Sequence, residues 1–362
     1  MFSTESDSPE SRRRDTLAYR AFLLAMIVCV LYTGLWLMAA KYGDAYAARA
    51  LASEAARGRR WSCGAAGISG FPFMLRLTCP QPALATVSEH GNSEFHAAGM
   101  TAGISIFAPT HVDIQFTAPL TAKLNNGDTF NLAATQVMAV VAGSITAPED
   151  ALASLEIMAE APVVAVTRAN GQGQSGKAQQ ARLRLARVAG AEAASHDIRI
   201  DFEGLEQPLL QSLAPTAGPS DVHLVGLIGH FELPGQGSLG ERLERWRAAG
   251  GHFSIAQATL VNSAFRIEAE GPLGLDGAHR LEGRLALKVQ GADALLQRFG
   301  LSSRMLEVGS TLGALFSGKP KPAEDAAIDA KSANSLSLAL TFRDGKVGAG
   351  PLPLPLELLP LY

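Results

Sequence analysis

Ala181-Arg182-Leu183-Arg184-Leu185-Ala186-Arg187-Val188, followed shortly by Ile198-Arg199-Ile200-Asp201-Phe202, alternates aliphatic and charged residues with a period of two. Successive side chains of an extended chain point to opposite faces, so each stretch is a strand with one apolar and one charged side. Antiparallel sheets that are dry on one face and wet on the other carry this pattern. Leu183 and Leu185 therefore mark a candidate apolar groove face.

The same period recurs outward from this centre. It appears at Met74-Leu75-Arg76-Leu77-Thr78, at Ile104-Ser105-Ile106 and at Val112-Asp113-Ile114-Gln115-Phe116-Thr117. C-terminal to the centre it returns at Phe253 to Leu260, Phe265 to Ala269 and Leu281 to Val289, and in a final hairpin from Leu336 to Phe342 that turns at Asp344-Gly345. Asn125-Asn126-Gly127-Asp128 is a further hairpin signal, since Asn and Gly accept positive φ. Helical spacing is confined to Leu205 to Leu213, Leu239 to Ala249 and Ser302 to Phe316, elements expected to cap or cover the sheet. Ser317 to Asn334 reads as a mobile loop. The alternate prolines of Pro351-Leu352-Pro353-Leu354-Pro355 cannot donate to a ladder, which makes this tail an edge or a polyproline-like strip.

Ala21 to Ala40 is twenty residues without a charge, lying between Arg20 and Lys41 and behind Arg12-Arg13-Arg14. A helix of that length spans the roughly 30 Å hydrocarbon core of a bilayer. The arginines hold its front in the cytoplasm and send the rest of the chain across. The expected organisation is a cytoplasmic tail over 1–20, a transmembrane anchor over 21–40, a helical stalk over 41–60 and a periplasmic β-rich domain over 61–362. Ala45-Tyr46-Ala47 offers signal peptidase an A-x-A triplet, so cleavage after Ala47 competes with a retained anchor. Against cleavage stand the length of the apolar run and the charges of Lys41 and Asp44.

Cys29 lies inside the anchor and serves there as a small apolar filler. Cys63 and Cys79 flank a segment short enough to fold back on itself, and an oxidising compartment would pair them, closing a loop worth on the order of 3 kcal/mol. The alternative is two reduced thiols.

With 47 % hydrophobic and 18 % charged residues the chain can bury a large core. A net charge of −3 and a pI near 6.3 give no electrostatic footprint for nucleic acid. Thirty-six glycines, 19 prolines and 6 % aromatics suit short strands and turns. Two G-x-G-x-x-G matches, from Gly171 and from Gly235, read as turns, because no acidic residue follows Gly235 by about 20 positions and Pro234 breaks the strand exit. The eight histidines show no metal-ligand spacing. Ser69 misses the nucleophile elbow because Gly70 comes one residue early. The residues thus point to no catalytic, cofactor or metal site. Phe71-Pro72-Phe73 either anchors the first corner of the sheet or puts two rings at the mouth of an apolar groove.

Cys63 through Pro80, with Ile68-Ser69-Gly70-Phe71-Pro72-Phe73 entering a strand, together with Phe107-Ala108-Pro109-Thr110-His111-Val112, resembles the N-terminal signature of an uncharacterised bacterial envelope family, domain-of-unknown-function family 2125. Gly251-His252-Phe253-Ser254-Ile255, Gly271 through Asp276 and Leu281-Glu282-Gly283-Arg284-Leu285 resemble that family's strand units and, more loosely, those of AsmA-like envelope proteins. The first likeness implies a membrane-anchored periplasmic protein, mostly β with a few helices. The second would imply a groove that handles lipid.

The expected architecture is an N-terminal transmembrane helix followed by an elongated, mainly antiparallel sheet, held as a single pass in the bacterial inner membrane with the N-terminus cytoplasmic. The leading function is noncatalytic binding or conveyance of a lipid or other apolar ligand. The runner-up is a scaffold whose envelope partner adds to a sheet edge, and an enzyme comes third.

Overall fold

The computed structural model describes residues 9–56, 58–64, 66–88, 91–143, 152–188, 195–213, 218–231, 239–291, 335–349 and 352–361. The expected helix over Ser302 to Phe316, the loop over Ser317 to Asn334 and most of the second glycine fingerprint lie outside them.

One helix, α1 (Pro9–Ala56), runs without a break from Pro9 of the tail through the apolar run to Ala56 of the stalk. Within it Ala18–Tyr42 is long and apolar enough to cross a membrane. The stalk ends earlier than its alanine-rich composition suggests. Gly58, at φ +80°, donates its N–H to the Ala55 carbonyl at 3.1 Å, and β1 (Arg59–Ser62) starts at once. A glycine in the left-handed region closes helices cheaply, and here it overrides the helical preference of Arg59 and Arg60.

Next come β2 (Gly67–Ser69), β3 (Met74–Pro80), β4 (Ala83–Ser88), β5 (Gly91–Ser105) and β6 (Ala108–Lys123). They are followed by β7 (Thr129–Ala133), β8 (Gln136–Gly143), β9 (Leu152–Glu160), β10 (Val163–Thr167), β11 (Gly173–Lys177), β12 (Gln180–Arg187) and β13 (His196–Leu205). A short helix, α2 (Pro208–Leu213), precedes β14 (Ser220–Gly229), and α3 (Leu239–Ala248) precedes β15 (His252–Val261). The described chain closes with β16 (Arg266–Leu275), β17 (Leu281–Gln290), β18 (Ser335–Arg343), β19 (Lys346–Ala349) and β20 (Leu352–Glu357).

All twenty strands belong to one sheet, and every pairing in it is antiparallel. The main ladder runs β2, β3, β5, β6, β8, β9, β12 and then in chain order to β20. At 4.7–4.9 Å per step this is about 65 Å measured along the sheet. A shorter strip beside it pairs β1 with β4, β4 with β5, and β7 with both β6 and β10. Among the described residues no ladder joins β20 back to the first strands, so the sheet is open.

The hairpins turn where the sequence places them. Gly127, at φ +85°, closes the β6–β7 turn, and Asp344 and Gly345, both at positive φ, close β18–β19. Gly171 sits in the β10–β11 turn, where its N–H bonds to Arg168, so the first glycine fingerprint is a hairpin. The proline-rich tail forms β20, which among the described residues pairs with β19 alone and is therefore an edge strand. Over Leu205 to Leu213 helical spacing misleads at its front: Leu205 still belongs to β13 and the helix begins at Pro208.

Candidate functional site: one apolar face of the sheet

Directly paired residues of neighbouring strands share a face, so the register carries side chains across the sheet in files. One file reads Leu77, Ala102, Ile114, Ala139, Ile157, Leu183, Ile200, Leu224, Ala258, Ala269, Leu287 and Leu338. A second reads Cys79, Met100, Phe116, Val137, Ala159, Ala181, Phe202, Val222, Leu260, Ile267 and Val289. Twelve consecutive strands thus contribute to the first file and eleven to the second without a polar side chain. Bulges between Val225 and Gly226 and between Ile255 and Ala258 shift the register of β14 to β16. They absorb a residue and leave the apolar phase intact.

The opposite face is polar. Along β6 every apolar position is half-buried, whereas His111, Asp113, Gln115, Thr117, Thr121 and Lys123 are exposed. Val137, Ala139, Ala159, Ile255, Leu285 and Val289, buried to between 4 % and 9 % exposure, all lie on the apolar side. Leu183 and Leu185 lie in the middle of it, and both are half-buried. Only ten apolar side chains are buried among the described residues, and most of the face is half-buried. A sheet of this kind has apolar surface in need of an occupant.

Two broad depressions of the described surface open on the polar side. The first, of about 710 Å³, is lined by Gln257, Glu268, Glu270 and Lys288, and the second, of about 690 Å³, by Arg182, Arg199, Asp201 and His223. Both are wide shallows between solvated charges, and the His223 to Asp201 pair across β13 and β14 belongs to this wet face. A third hollow, of about 310 Å³, lies under α3. There Trp246 donates its Nε1–H to the Gly229 carbonyl at 2.7 Å, and the Arg242 guanidinium sits 5.2 Å from the centre of the Phe231 ring. Burial and the nearby Arg59 and Arg245 lower the Arg242 pKa from its ordinary value.

Two polar groups stand at one margin of the apolar side. Arg187 of β12 faces His196 of β13, and the His196 ring is 3 % exposed with no partner for Nδ1. Burial and the adjacent Arg187 push its pKa below the usual 6.5.

Phe71, Pro72 and Phe73 do not lie on the face. They form the β2–β3 turn at its first corner, and more than half of each phenylalanine is exposed. Phe71 packs edge-on against Trp36 of α1, with centroids 5.4 Å apart, and Phe73 packs against Phe107 of the β5–β6 turn at 5.9 Å. The turn is thereby tied to the apolar helix. Sequence reading missed Tyr32, Trp36 and Phe107 as parts of this corner, although a hydroxyl and an indole N–H inside an otherwise hydrocarbon stretch are the available signal. Cys63 and Cys79, also singled out from sequence, stand with their sulfurs 2.06 Å apart, tying the chain beside β2 to the start of the second apolar file. Among the described residues no group of three or more His, Cys, Asp or Glu is placed to hold a metal ion.

No curated protein and no solved structure matches the chain, so the AsmA-like likeness remains one of strand pattern. The family model described as "Uncharacterized protein conserved in bacteria (DUF2125)" matches residues 36–355. That span takes in the last turns of the apolar stretch and nearly the whole sheet, and the chain belongs to this DUF2125 family.

Proposed function

We propose that the protein is a noncatalytic, membrane-anchored carrier of lipid, whose α1 holds it in the bacterial inner membrane and whose apolar sheet face holds acyl chains on the periplasmic side. The observation that carries this reading is the pair of unbroken apolar files, over twelve and eleven strands, on a face most of which is only half-buried. Water contact with such a face costs roughly 25 cal/mol per Å² of apolar surface, and an acyl chain regains about 0.8 kcal/mol for each methylene it buries. The files run along the sheet, across the strands, so the surface offered is long, as a chain-like ligand requires. The arginines ahead of α1 favour a cytoplasmic N-terminus.

A fragment beginning near Tyr42 tests the reading. Purified without added lipid, it should release phospholipid in molar proportion on organic extraction and mass spectrometry. A folded, ligand-free monomer would contradict it and favour an envelope scaffold. One edge open to such a partner is β20, where Pro353 and Pro355 provide no N–H for an added strand; this weighs against the scaffold.

A further inference from the structure

Two turns of the sheet reach down beside α1. The helix rises 1.5 Å per residue, so Trp36 and Tyr32 lie about 9 and 15 Å inside the Tyr42 end of the apolar stretch. Both are half-buried, while their neighbours Leu31, Leu35 and Leu37 are exposed. What covers them is the Gly70–Met74 turn. The Tyr32 hydroxyl donates to the Pro72 carbonyl, and Trp36 Nε1–H donates to the Met74 carbonyl at 3.2 Å.

Part of the turn backbone is paired within the sheet. Met74 N–H bonds to the Gly70 carbonyl at 3.0 Å, Ile106 N–H to the Phe73 carbonyl at 3.1 Å, and Phe107 N–H to Ser105 Oγ at 3.2 Å; Pro72 has no N–H to satisfy. Inside hydrocarbon, where water cannot help, each such pairing removes the cost of one bare polar group. The side chains do the reverse and turn outward: Phe107 is 77 % exposed, with Phe71, Phe73 and Ile106 between 41 % and 55 %. Four large apolar side chains pointing outward, level with the middle of a membrane-spanning helix, suit acyl chains better than water.

We infer that the β2–β3 and β5–β6 turns form a lipid-embedded foot, with Phe71, Phe73, Ile106 and Phe107 inserted among the phospholipid acyl chains of the leaflet at the Tyr42 end of α1. The inference rests on α1 crossing the membrane and adds to the carrier reading a point of entry. From the foot the apolar face starts at Leu75, paired with Ile104 and through it with Val112, so a lipid leaving the leaflet meets the face without crossing water.

The full-length protein is reconstituted into phosphatidylcholine vesicles with brominated acyl chains and carries one thiol-linked fluorophore. Three positions are compared: native Cys29 in α1, and Phe107→Cys or Thr121→Cys in a Cys29→Ala background. Thr121 is exposed on the polar side of β6, about 45 Å along the strand from the foot. Emission from the positions 29 and 107 should fall at least about twofold, as expected for a depth of 5–10 Å or more, while position 121 stays bright. Quenching at 29 with position 107 as bright as 121 overturns the foot and leaves the anchor standing. No quenching at 29 removes the anchor and the foot together, and equal quenching at all three overturns a localised foot.

Discussion

Replacing Leu183 by Asp separates an open apolar face from a covered one. Leu183 lies between Ile157 and Ile200 and is half-buried. Full burial of a leucine is worth about 1.5–3 kcal/mol, so losing half of it costs the fold about 1 kcal/mol. An exposed carboxylate on an open face keeps its water and adds little further cost. The melting temperature should then fall by only about 2–4 °C. Bound lipid suffers more. Two or three acyl methylenes lose their contact at about 0.8 kcal/mol each, or about 2 kcal/mol in all, which corresponds to roughly 30-fold weaker retention. Circular dichroism melting and quantitative lipid mass spectrometry read the two effects on one preparation, with Arg184→Gln on the opposite face as the control. A fall of more than about 10 °C with lipid content unchanged would refute the reasoning, because a carboxylate costs that much only when shut away without a partner.

A C-terminal alkaline phosphatase fusion should be active and remain in the membrane through carbonate washing; an inactive fusion would reverse the assigned orientation. Cys63 and Cys79 should both resist thiol labelling in denatured, nonreduced protein, and labelling of the pair would contradict the bond. His196 titrates below its ordinary value in the folded chain, so on acidification the unfolded state takes up its proton first. Stability should hold above about pH 6.5 and decline below it, and His196→Gln should flatten that decline in pH-resolved melting curves. At Gly271, φ is +137° and an added Cβ would stand 2.3 Å from the Arg284 carbonyl oxygen. Gly271→Ala should therefore destabilise by about 1–3 kcal/mol in urea unfolding, and an unchanged midpoint would show that the bend relaxes freely.

The parts of the fold legible in the sequence are those with contrast along the chain. Arg182-Leu183-Arg184-Leu185 announces its strand because charge and aliphatic residue alternate, and β20 announces itself as an edge because its prolines cannot donate. β5 is the longest neighbour of β6, yet Ala97-Ala98-Gly99-Met100-Thr101-Ala102-Gly103 shows no alternation, since small residues on both faces erase the period. β8 escapes notice for the converse reason: Val140 and Met138 leave its polar side nearly as apolar as its inner one. Leu183 and Leu185 were legible as an apolar side, but the files were not, because register is a property of pairs. The corner at Phe71 to Phe73 was visible as a feature, while its attachment to Tyr32 and Trp36 spans about forty residues of chain and leaves no local trace.

Photocrosslinking in intact cells tests the carrier reading most directly. A benzophenone amino acid is placed at Leu338, eleven strand steps and therefore about 50 Å along the sheet from Leu77, and in a second strain at Ser337, its neighbour on the polar face. Irradiation is expected to attach phospholipid, seen by mass spectrometry of the purified full-length protein, at position 338 and not at 337. Absence of lipid at both positions, or equal capture at both, would contradict a lipid-bearing apolar face.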